Sequence, residues 1–279
     1  MATLIQSLQH ILSQTDPSVS NETRRILMKE LLQAYTLDYI YNQPTYRKLN
    51  FYGGTCLHLL YGLNRLSEDI DLDNTSQTDI SHLEQDLLAY YRTTIGYEDV
   101  SAKLQVGEQG IYRVTLKFPI LYALGLSSHS NEVLNLKVEI STHAQIAEVL
   151  KTPVLSHSRS FIANHFSLET MMAGKMLACL ERNFIIGKSL ASVKGRDFYD
   201  LLWFMQQKIM PMEEKLRKDG SVSYSTISAM EALKEKVAQL TPAELAVDLL
   251  PLFDRRSFID AWLSTFHENF NRFVRFYLS

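Results

Sequence analysis

The sequence predicts an α+β protein in which a mixed first half precedes an α-helical second half. Up to about residue 150, segments with apolar residues at helical spacing alternate with short runs that alternate polar and apolar residues. After Pro153 only helical spacing remains. This element order is typical of an α+β core followed by a helical domain. We therefore expect two domains, an α/β core with N-terminal helices at residues 1–155 and a helical domain at 156–279.

The elements up to residue 94 follow from spacing and from stop signals. Helical spacing predicts helices over 21–40 and 79–94. A short strand over 48–52 is expected to end at Gly53–Gly54, after which Thr55 caps a helix that Gly62 ends. Residues 69–73 alternate acidic and aliphatic side chains, which predicts a second strand.

The later elements divide into strands and helices. Strands are predicted over 99–106, 110–119 and 133–140, and the first two are expected to form a hairpin. Helices are predicted over 168–180, 197–206, 225–240, 243–249 and 255–276. The charged stretch 213–223 is expected to be an exposed loop.

Composition excludes several classes of protein. Of 279 residues, 46% are hydrophobic and 21% charged, which is typical of a soluble globular protein. No apolar run reaches the ~20 residues of a membrane span, and the N-terminus does not resemble a signal peptide, so a cytoplasmic protein is expected. The two cysteines are too few for a disulfide scaffold or a zinc site.

The net charge of −3 is unevenly distributed along the chain. Residues 1–150 hold 11 basic and 17 acidic residues, a net charge of −6. Residues 151–279 hold 17 basic and 14 acidic residues, a net charge of +3. Such a split can arise by chance, or it can reflect an acidic site that faces a mildly basic module. Composition alone does not distinguish these two explanations.

The chemistry is densest between residues 53 and 73. Gly53–Gly54 follows a strand and precedes a helix, so the amides there can face an anion and the missing side chains let a phosphate approach. Taken alone, however, a glycine pair most often marks a tight turn. The combination with an acidic strand is more specific than either part.

That acidic strand predicts a cation site. Asp69 and Asp71 are two residues apart, so on a strand they point to the same side, and their charges repel unless a cation lies between them. Mg²⁺ takes such oxygen ligands and accepts phosphates beside them. Asp73 would continue the same face. A solvated edge strand is the alternative, although the intervening aliphatic residues favour a buried face.

The pattern G-G-T-x-L followed by R-x-S-x-D-x-D resembles the nucleotidyltransferase superfamily with a DNA polymerase β-type core. More closely, it resembles the AbiEii/AbiGii family of bacterial toxins from type IV toxin–antitoxin and abortive-infection systems. The resemblance runs from about residue 45 to 208 and implies a polymerase β-like core with a mixed sheet, followed by an α-helical C-terminal domain. The matching residues are Gly53, Gly54, Thr55, Leu57, Arg65, Ser67, Asp69 and Asp71.

The resemblance also implies site residues further along the chain. Glu139 fits a third carboxylate, Lys175 fits a helical lysine, and 194–200 fits a basic-Asp-x-x-Asp element with Lys194, Arg196, Asp197 and Asp200. Each also has an ordinary explanation: a surface residue on an edge strand, an exposed helical lysine, or acids favoured in the first turn of a helix. The chain departs from the superfamily in having Gly54 where many members have Ser, and Glu139 where Asp is common.

The resemblance assigns each residue a role in nucleotidyl transfer. Asp69, Asp71 and Glu139 are expected to hold one or two Mg²⁺ ions, and Glu139 to help deprotonate the attacking hydroxyl. The phosphates of an NTP would lie against Gly53, Gly54 and Thr55, with Lys175 neutralising the departing pyrophosphate. Asp197 would orient Arg196 at the nucleotide or accept a proton. Arg65 and Ser67 would bind phosphate or hold the turn together.

Three functions are compatible with these residues. The first is a toxin that transfers NMP from an NTP to the tRNA 3′ end, with an antitoxin as a further partner and no membrane contact. The second is the same chemistry on a Ser, Thr or Tyr hydroxyl of a protein, and the third is a non-catalytic nucleotide-binding module. A phosphate-binding surface in the second half would consist of Arg182, Lys188, Lys194 and Arg196.

Overall fold

The computed structural model describes residues 3–107, 110–142, 145–182 and 193–279. The chain forms two compact units. The first comprises Met1–Ala144 and Val149–His165, and the second comprises Gln145–Glu148 and Phe166–Ser279.

The described part of the first unit is built around a mixed sheet of seven strands in the order β3-β4-β5-β2-β1-β7-β6. Strand β2 pairs in parallel with β5, and β1 pairs in parallel with β7, whereas β1–β2, β3–β4 and β4–β5 are antiparallel. The strands are β1 (Asn50–Tyr52), β2 (Ile70–Asp73), β3 (Ser101–Val106), β4 (Ile111–Phe118), β5 (Leu134–Ser141), β6 (Val149–Ser156) and β7 (Arg159–Phe166).

Helices accompany the sheet and make up most of the second unit. In the first unit they are α1 (Leu4–Gln14), α2 (Asn21–Asn42), α3 (Gly53–Tyr61) and α4 (Leu83–Ala89), the last continuing into a π-helical turn at Tyr90–Thr94. In the second unit they are α5 (Leu168–Glu181), α6 (Gly195–Gln206), α7 (Glu213–Lys218), α8 (Thr226–Val237), α9 (Pro242–Leu249) and α10 (Arg256–Leu278). None of the helices in the described ranges is long and apolar enough to cross a membrane.

The central strands have one buried face and one open face. Burial alternates residue by residue along β4 and β5, because successive side chains of a strand point to opposite sides. The buried side carries apolar residues, and Phe118 there packs edge-on against the ring of Tyr91 at 4.9 Å. We call the other side the open face. It is formed by Tyr52, Asp71, Glu139, Lys137, Asn135, Arg113, Thr115, Lys117, Gln105, Lys103 and Ser101.

The predicted α+β class and mixed sheet are confirmed, but several element predictions were wrong. Helix α3 begins at Gly53 with Tyr52 as its N-cap, so Thr55 does not cap it. The helix predicted over 79–94 begins only at Leu83. The stretch predicted as a loop after residue 213 contains α7, whose charged side chains pair across one turn, as Lys218 Nζ does with Glu214 Oε1 at 2.6 Å.

Strands β6 and β7 were absent from the prediction. Only Val154 of β6 is buried, so this edge strand lacks the alternation that marks a half-buried strand. Pro153 lies within it, a position that edge strands tolerate because one side of the strand is unpaired. The domain boundary expected at residues 155/156 falls within β6, and the first compact unit continues to His165.

Candidate functional site

The glycine pair lies at the start of α3, next to the acidic strand. Gly53 has φ +80°, a conformation that L-residues with side chains rarely adopt. A Cβ atom on Gly53 would lie 2.3 Å from Asp71 Oδ2, so only glycine lets that carboxylate come so close to the turn. The N-cap residue Tyr52 makes no capping hydrogen bond with its side chain. The turn therefore presents backbone N–H groups beside a carboxylate.

Arg65 and Ser67 lie against the second glycine. A Cβ atom on Gly54 would be 2.5 Å from Arg65 Nη2 and 2.9 Å from Ser67 Oγ. Arg65 is buried and donates from Nη1 to the carbonyl of Leu66 at 3.0 Å. The guanidinium of Arg65 thus fills the space that a side chain at position 54 would need. This packing accounts for glycine at a position where a serine was expected by resemblance.

Thr55 joins the start of α3 to the strand that carries the aspartates. Its hydroxyl donates to the carbonyl oxygen of Asp69, and its side chain is buried. This hydrogen bond from a side chain to the backbone therefore holds the start of α3 next to the acidic segment. Thr55 contributes to the site by positioning.

Two of the three predicted metal ligands lie on adjoining strands of the sheet, and the third directly precedes one of these strands. Asp71 and Glu139 are direct neighbours in the parallel pairing of β2 with β5. Asp69 precedes β2 by one residue, and Lys137, two residues before Glu139, reaches Asp69 Oδ2 at 3.6 Å. The structure thus brings residues separated by about 70 positions in the chain to one region of the sheet.

Basic side chains contact two of the three carboxylates, those of Asp69 and Glu139. Arg113 Nε donates to Glu139 Oε1 at 2.7 Å, across the pairing of β4 with β5. Burial raises the pKa of Asp69, and the charges of Lys137 and Lys29 offset that effect only in part. Asp69 is therefore a carboxylate whose ionised form would gain from a further positive charge.

The donor set is compatible with Mg²⁺, although the side chains are not gathered around a metal. Within the described ranges, no three His, Cys, Asp or Glu side chains are close enough together to hold an ion. Asp69, Asp71 and Glu139 nevertheless offer only carboxylate oxygens, which Mg²⁺ prefers, and the incompletely compensated Asp69 is the kind of group that a cation stabilises. These residues fit Mg²⁺ in donor chemistry.

Asp73 does not extend the acidic site. Its carboxylate is fully buried and accepts hydrogen bonds from Asn50 Nδ2 at 3.1 Å and from the amide and hydroxyl of Thr75 at 3.1 and 2.6 Å. Those partners come from β1 and from the turn after β2. Asp73 lies on the same side of β2 as Asp71, as expected, and its buried carboxylate is bound by these donors at the end of the strand.

A second charged cluster lies in the helical unit. Lys175 Nζ on α5 contacts Asp197 Oδ1 at 2.7 Å and Asp200 Oδ2 at 2.9 Å, both on α6. Both carboxylates are buried, and Arg182 Nη1 adds a contact to Asp197 Oδ2 at 3.3 Å. Burial alone would raise the pKa of Asp197, but the charges of Lys175 and Arg182 outweigh it and lower the pKa to about 2.

Arg196 and Lys194 surround the start of α6. The Oδ1 atom of Asp248, on α9, accepts a hydrogen bond from the Arg196 amide at 3.4 Å, and its Oδ2 lies 3.7 Å from Arg196 Nε. Desolvation and the charges of Arg196 and Arg182 lower the pKa of Lys194. Three of the four predicted phosphate-binding cations thus surround this end of α6, and Lys188 lies outside the described residues.

Several contributors were missed by sequence reasoning. Arg113 and Lys137 share the open face with Glu139, and the strict alternation along β4 and β5 was the signal that could have indicated this. Gly195 permits a close approach of α6 to α9, because a Cβ atom there would lie 1.9 Å from the carbonyl oxygen of Leu245. No pattern in the sequence marks Asp248 as the residue that caps α6.

Two crystal structures of proteins from Helicobacter pylori share the fold. One is of a candidate nucleotidyltransferase, with 19% sequence identity over 90% of this chain and 92% of that chain and a TM-score of 0.50. The other is of JHP933, with 18% identity over 94% of each chain and a TM-score of 0.52. At these identities the likeness shows the fold alone. No curated protein sequence matches the chain.

The family comparison covers most of the sequence. The family described as "Nucleotidyl transferase AbiEii toxin, Type IV TA system" matches residues 37–278. This range includes the glycine turn, the acidic strand, Glu139 and the cluster around Lys175. The chain therefore belongs to the AbiEii nucleotidyl transferase toxin family of type IV toxin–antitoxin systems, and its class of activity is nucleotidyl transfer.

Proposed function

We propose that this nucleotidyltransferase uses Mg²⁺ to transfer NMP from an NTP to the 3′-terminal hydroxyl of tRNA, as a toxin restrained by a cognate antitoxin. The observation that carries the proposal is the pairing of Asp71 with Glu139 on the open face, with Gly53 pressed against Asp71. Acidic strand and phosphate-binding turn are the two parts that nucleotidyl transfer requires side by side.

In the proposed reaction the acceptor oxygen attacks the α-phosphorus of the NTP. A new P–O bond forms to the acceptor, the bond from the α-phosphorus to the bridging oxygen breaks, and pyrophosphate leaves with that electron pair. The acceptor hydroxyl loses its proton, and Glu139 is the residue we assign to receive it. Arg113 orients Glu139 by binding its Oε1 atom. Positioning and charge stabilisation account for most of the catalysis in such transfers.

A cation held by Asp69, Asp71 and Glu139 would neutralise charge on the phosphate oxygens when bound. The chain's own contribution on the nucleotide side is the turn at Gly53–Gly54, whose amides we assign to the β- and γ-phosphates. Arg65 brings a guanidinium against Gly54, and so adds positive charge behind the turn. Ser67 supplies a hydroxyl at the same place.

In the helical unit we assign Lys175 to the charge of the departing pyrophosphate, and Arg196 and Asp197 to the nucleotide, on the basis of the family resemblance. The contacts of Lys175 with Asp197 and Asp200 support a fixed position for its ammonium group. Asp248 Oδ1 accepts a hydrogen bond from the amide of Arg196, which supports a fixed position for the backbone of that residue.

The test is label transfer from α-³²P-labelled NTPs to total tRNA in the presence of Mg²⁺, using the full chain. We expect label on RNA with the wild type and at least a roughly 10²–10³-fold slower transfer with Asp71→Asn, because loss of one charge-stabilising group typically has such an effect. Asp99→Asn is the matched control, since Asp99 is exposed and lies before β3. Growth inhibition on expression should be lost with Asp69→Ala or Asp71→Ala.

The outcomes separate the alternatives. Label on protein with none on RNA would replace tRNA by a protein hydroxyl as the acceptor. No label on either, with an NTP that binds, would leave a nucleotide-binding module and refute the catalytic proposal. Equal rates for Asp71→Asn and Asp99→Asn would exclude Asp71 from the reaction.

A further inference from the structure

Beyond the carboxylates, the open face becomes basic. Its acidic residues lie on β2 and β5, whereas β4 and β3 contribute Arg113, Lys117 and Lys103 and no acid. Lys137 on β5 is a fourth cation on the same face, and its side chain is 45% exposed. Charge therefore changes sign across the sheet, from the catalytic strand towards the β3 edge.

The strand register fixes the positions of these cations. One row of paired residues runs from Asp71 through Glu139 and Arg113 to Gln105, and the next row runs from Lys137 through Thr115 to Lys103. Neighbouring strands are about 4.8 Å apart, so the backbone of β3 lies roughly 14 Å from that of β2. The basic surface thus begins at the carboxylates and extends about three strands away from them.

Two of these cations have no acidic partner among the residues that the structure describes. Arg113 and Lys137 contact Glu139 and Asp69, as described above. Within the described part of the chain, neither Lys103 nor Lys117 forms an ion pair. Lys103 is exposed and Lys117 half-buried, so both ammonium groups can meet a ligand that carries several negative charges.

The geometry of the reaction gives this surface a direction. The glycine turn follows β1, which pairs with β2 on the side opposite to β5. In an in-line displacement the attacking oxygen and the leaving group lie on opposite sides of the phosphorus. If pyrophosphate leaves towards the turn, the acceptor enters from the side of β5, β4 and β3.

We propose that the basic part of the open face, formed by Lys103, Lys117, Lys137 and Arg113, binds phosphates of a nucleic-acid acceptor and directs its terminal hydroxyl to the carboxylates. This inference rests on the proposed function and specifies its acceptor class. Four strand spacings, roughly 19 Å, separate β3, which carries Lys103, from β1, which leads into the turn that we assign to the triphosphate of the donor. A protein acceptor would have no systematic need for cations at these positions, whereas a phosphate backbone does.

The test is the salt dependence of binding between the full chain and fluorescein-labelled total tRNA, for the wild type and for the double variant Lys103→Glu/Lys117→Glu. We expect the affinity at low salt to fall on the order of tenfold or more. The slope of log affinity against log salt should become shallower by about 1.4–1.8, which is the loss of two phosphate contacts. A merely structural role would not change that slope.

The control is Lys48→Glu/Lys151→Glu, which makes the same change of charge at two exposed lysines, one in the turn before β1 and one on β6. We expect it to keep the wild-type slope. Thermal unfolding checks that each variant is folded, and Lys103→Gln/Lys117→Gln replaces the double reversal if that variant is not.

A wild-type slope and affinity for Lys103→Glu/Lys117→Glu, or an equal loss in the control, would overturn the inference. Label transfer to protein with no dependence on these lysines would also overturn it, in favour of a protein acceptor. If binding to tRNA depends on the lysines but no label is transferred, the basic surface is supported and the proposed reaction fails.

Discussion

The molecule holds two clusters of acidic and basic side chains, and they differ in how far the charges are compensated. At the sheet, Asp69 and Glu139 have side chains that are 25% and 29% exposed, and among the described residues each forms an ion pair with one cation. In the helical unit, Asp197 and Asp200 are 5% and 0% exposed and share Lys175, with Arg182 as an additional partner of Asp197.

The pKa values of the two clusters move in opposite directions. Burial raises the pKa of Asp69 because the nearby lysines do not offset it fully. In Asp197 burial acts in the same sense but is outweighed, and the pKa falls to about 2. The charge of Asp69 is thus compensated less fully than that of Asp197.

The largest expected effect is on the free energy of unfolding, when the lysine of the helical cluster is removed. Lys175→Met would leave two buried carboxylates facing each other and should lower the free energy of unfolding by about 3–5 kcal/mol. Asp69→Asn should change it by less than about 1 kcal/mol, or stabilise, because the amide avoids the desolvation of a carboxylate. Urea denaturation measures both. Equal losses would remove the distinction between the clusters.

A smaller effect is expected from pH. The pKa of Asp197 is lower in the folded chain than its ordinary value of 3.8, so its contribution is present above pH 4 and is lost as the pH falls towards 2. The difference in free energy of unfolding between the wild type and Asp197→Asn should therefore shrink by about 2 kcal/mol across that window. Urea denaturation at successive pH values measures it.

Asp69 should behave in the opposite way. Because its folded pKa is raised, ionisation costs stability above that pKa, and lowering the pH towards it should stabilise the wild type relative to Asp69→Asn. If the difference in free energy of unfolding between the wild type and Asp69→Asn stays constant with pH, the pKa of Asp69 is not raised by folding, and this prediction is wrong.

The smallest effect is expected at Gly53, the glycine that lies against Asp71 in the sheet cluster. Gly53→Ala and Gly62→Ala both introduce a side chain at positive φ, which costs roughly 1–2 kcal/mol. Only at Gly53 does the new Cβ meet a carboxylate, whereas nothing lies within 4 Å at Gly62. Gly53→Ala should therefore be the less stable of the two and should also lose transfer activity. If both variants keep full activity, the contact with Asp71 is not needed.

The sequence was sufficient for the fold class and for much of the local structure. Alternation predicted β4 and β5 closely, because one of their faces is buried and the other is not. It failed for β6, where five of the eight residues are exposed and only Val154 is buried, so burial does not alternate. It also failed for α7, because this helix consists of five charged residues and one leucine. Such a composition is also typical of an exposed loop.

The site was less accessible from sequence than the fold. The glycine turn and the two aspartates are close together in the chain, so their local pattern identified them. The register that sets Glu139 beside Asp71 arises from a parallel pairing between distant segments, and no local signal encodes such a pairing. Asp248 was missed for the same reason, because it reaches Arg196 through tertiary packing, whereas Arg113 meets Glu139 through the antiparallel pairing of β4 with β5.

The parallel pairing of β2 with β5 also has a consequence for synthesis of the chain. Strand β5 lies between β2 and β4, and 60 residues separate the end of β2 from its start. Closing such a loop costs conformational entropy that the late-formed contacts must repay. A nascent chain that has emerged only as far as β4 holds the glycine turn and both aspartates but not Glu139, so these carboxylates come together only after β5 has been inserted between β2 and β4.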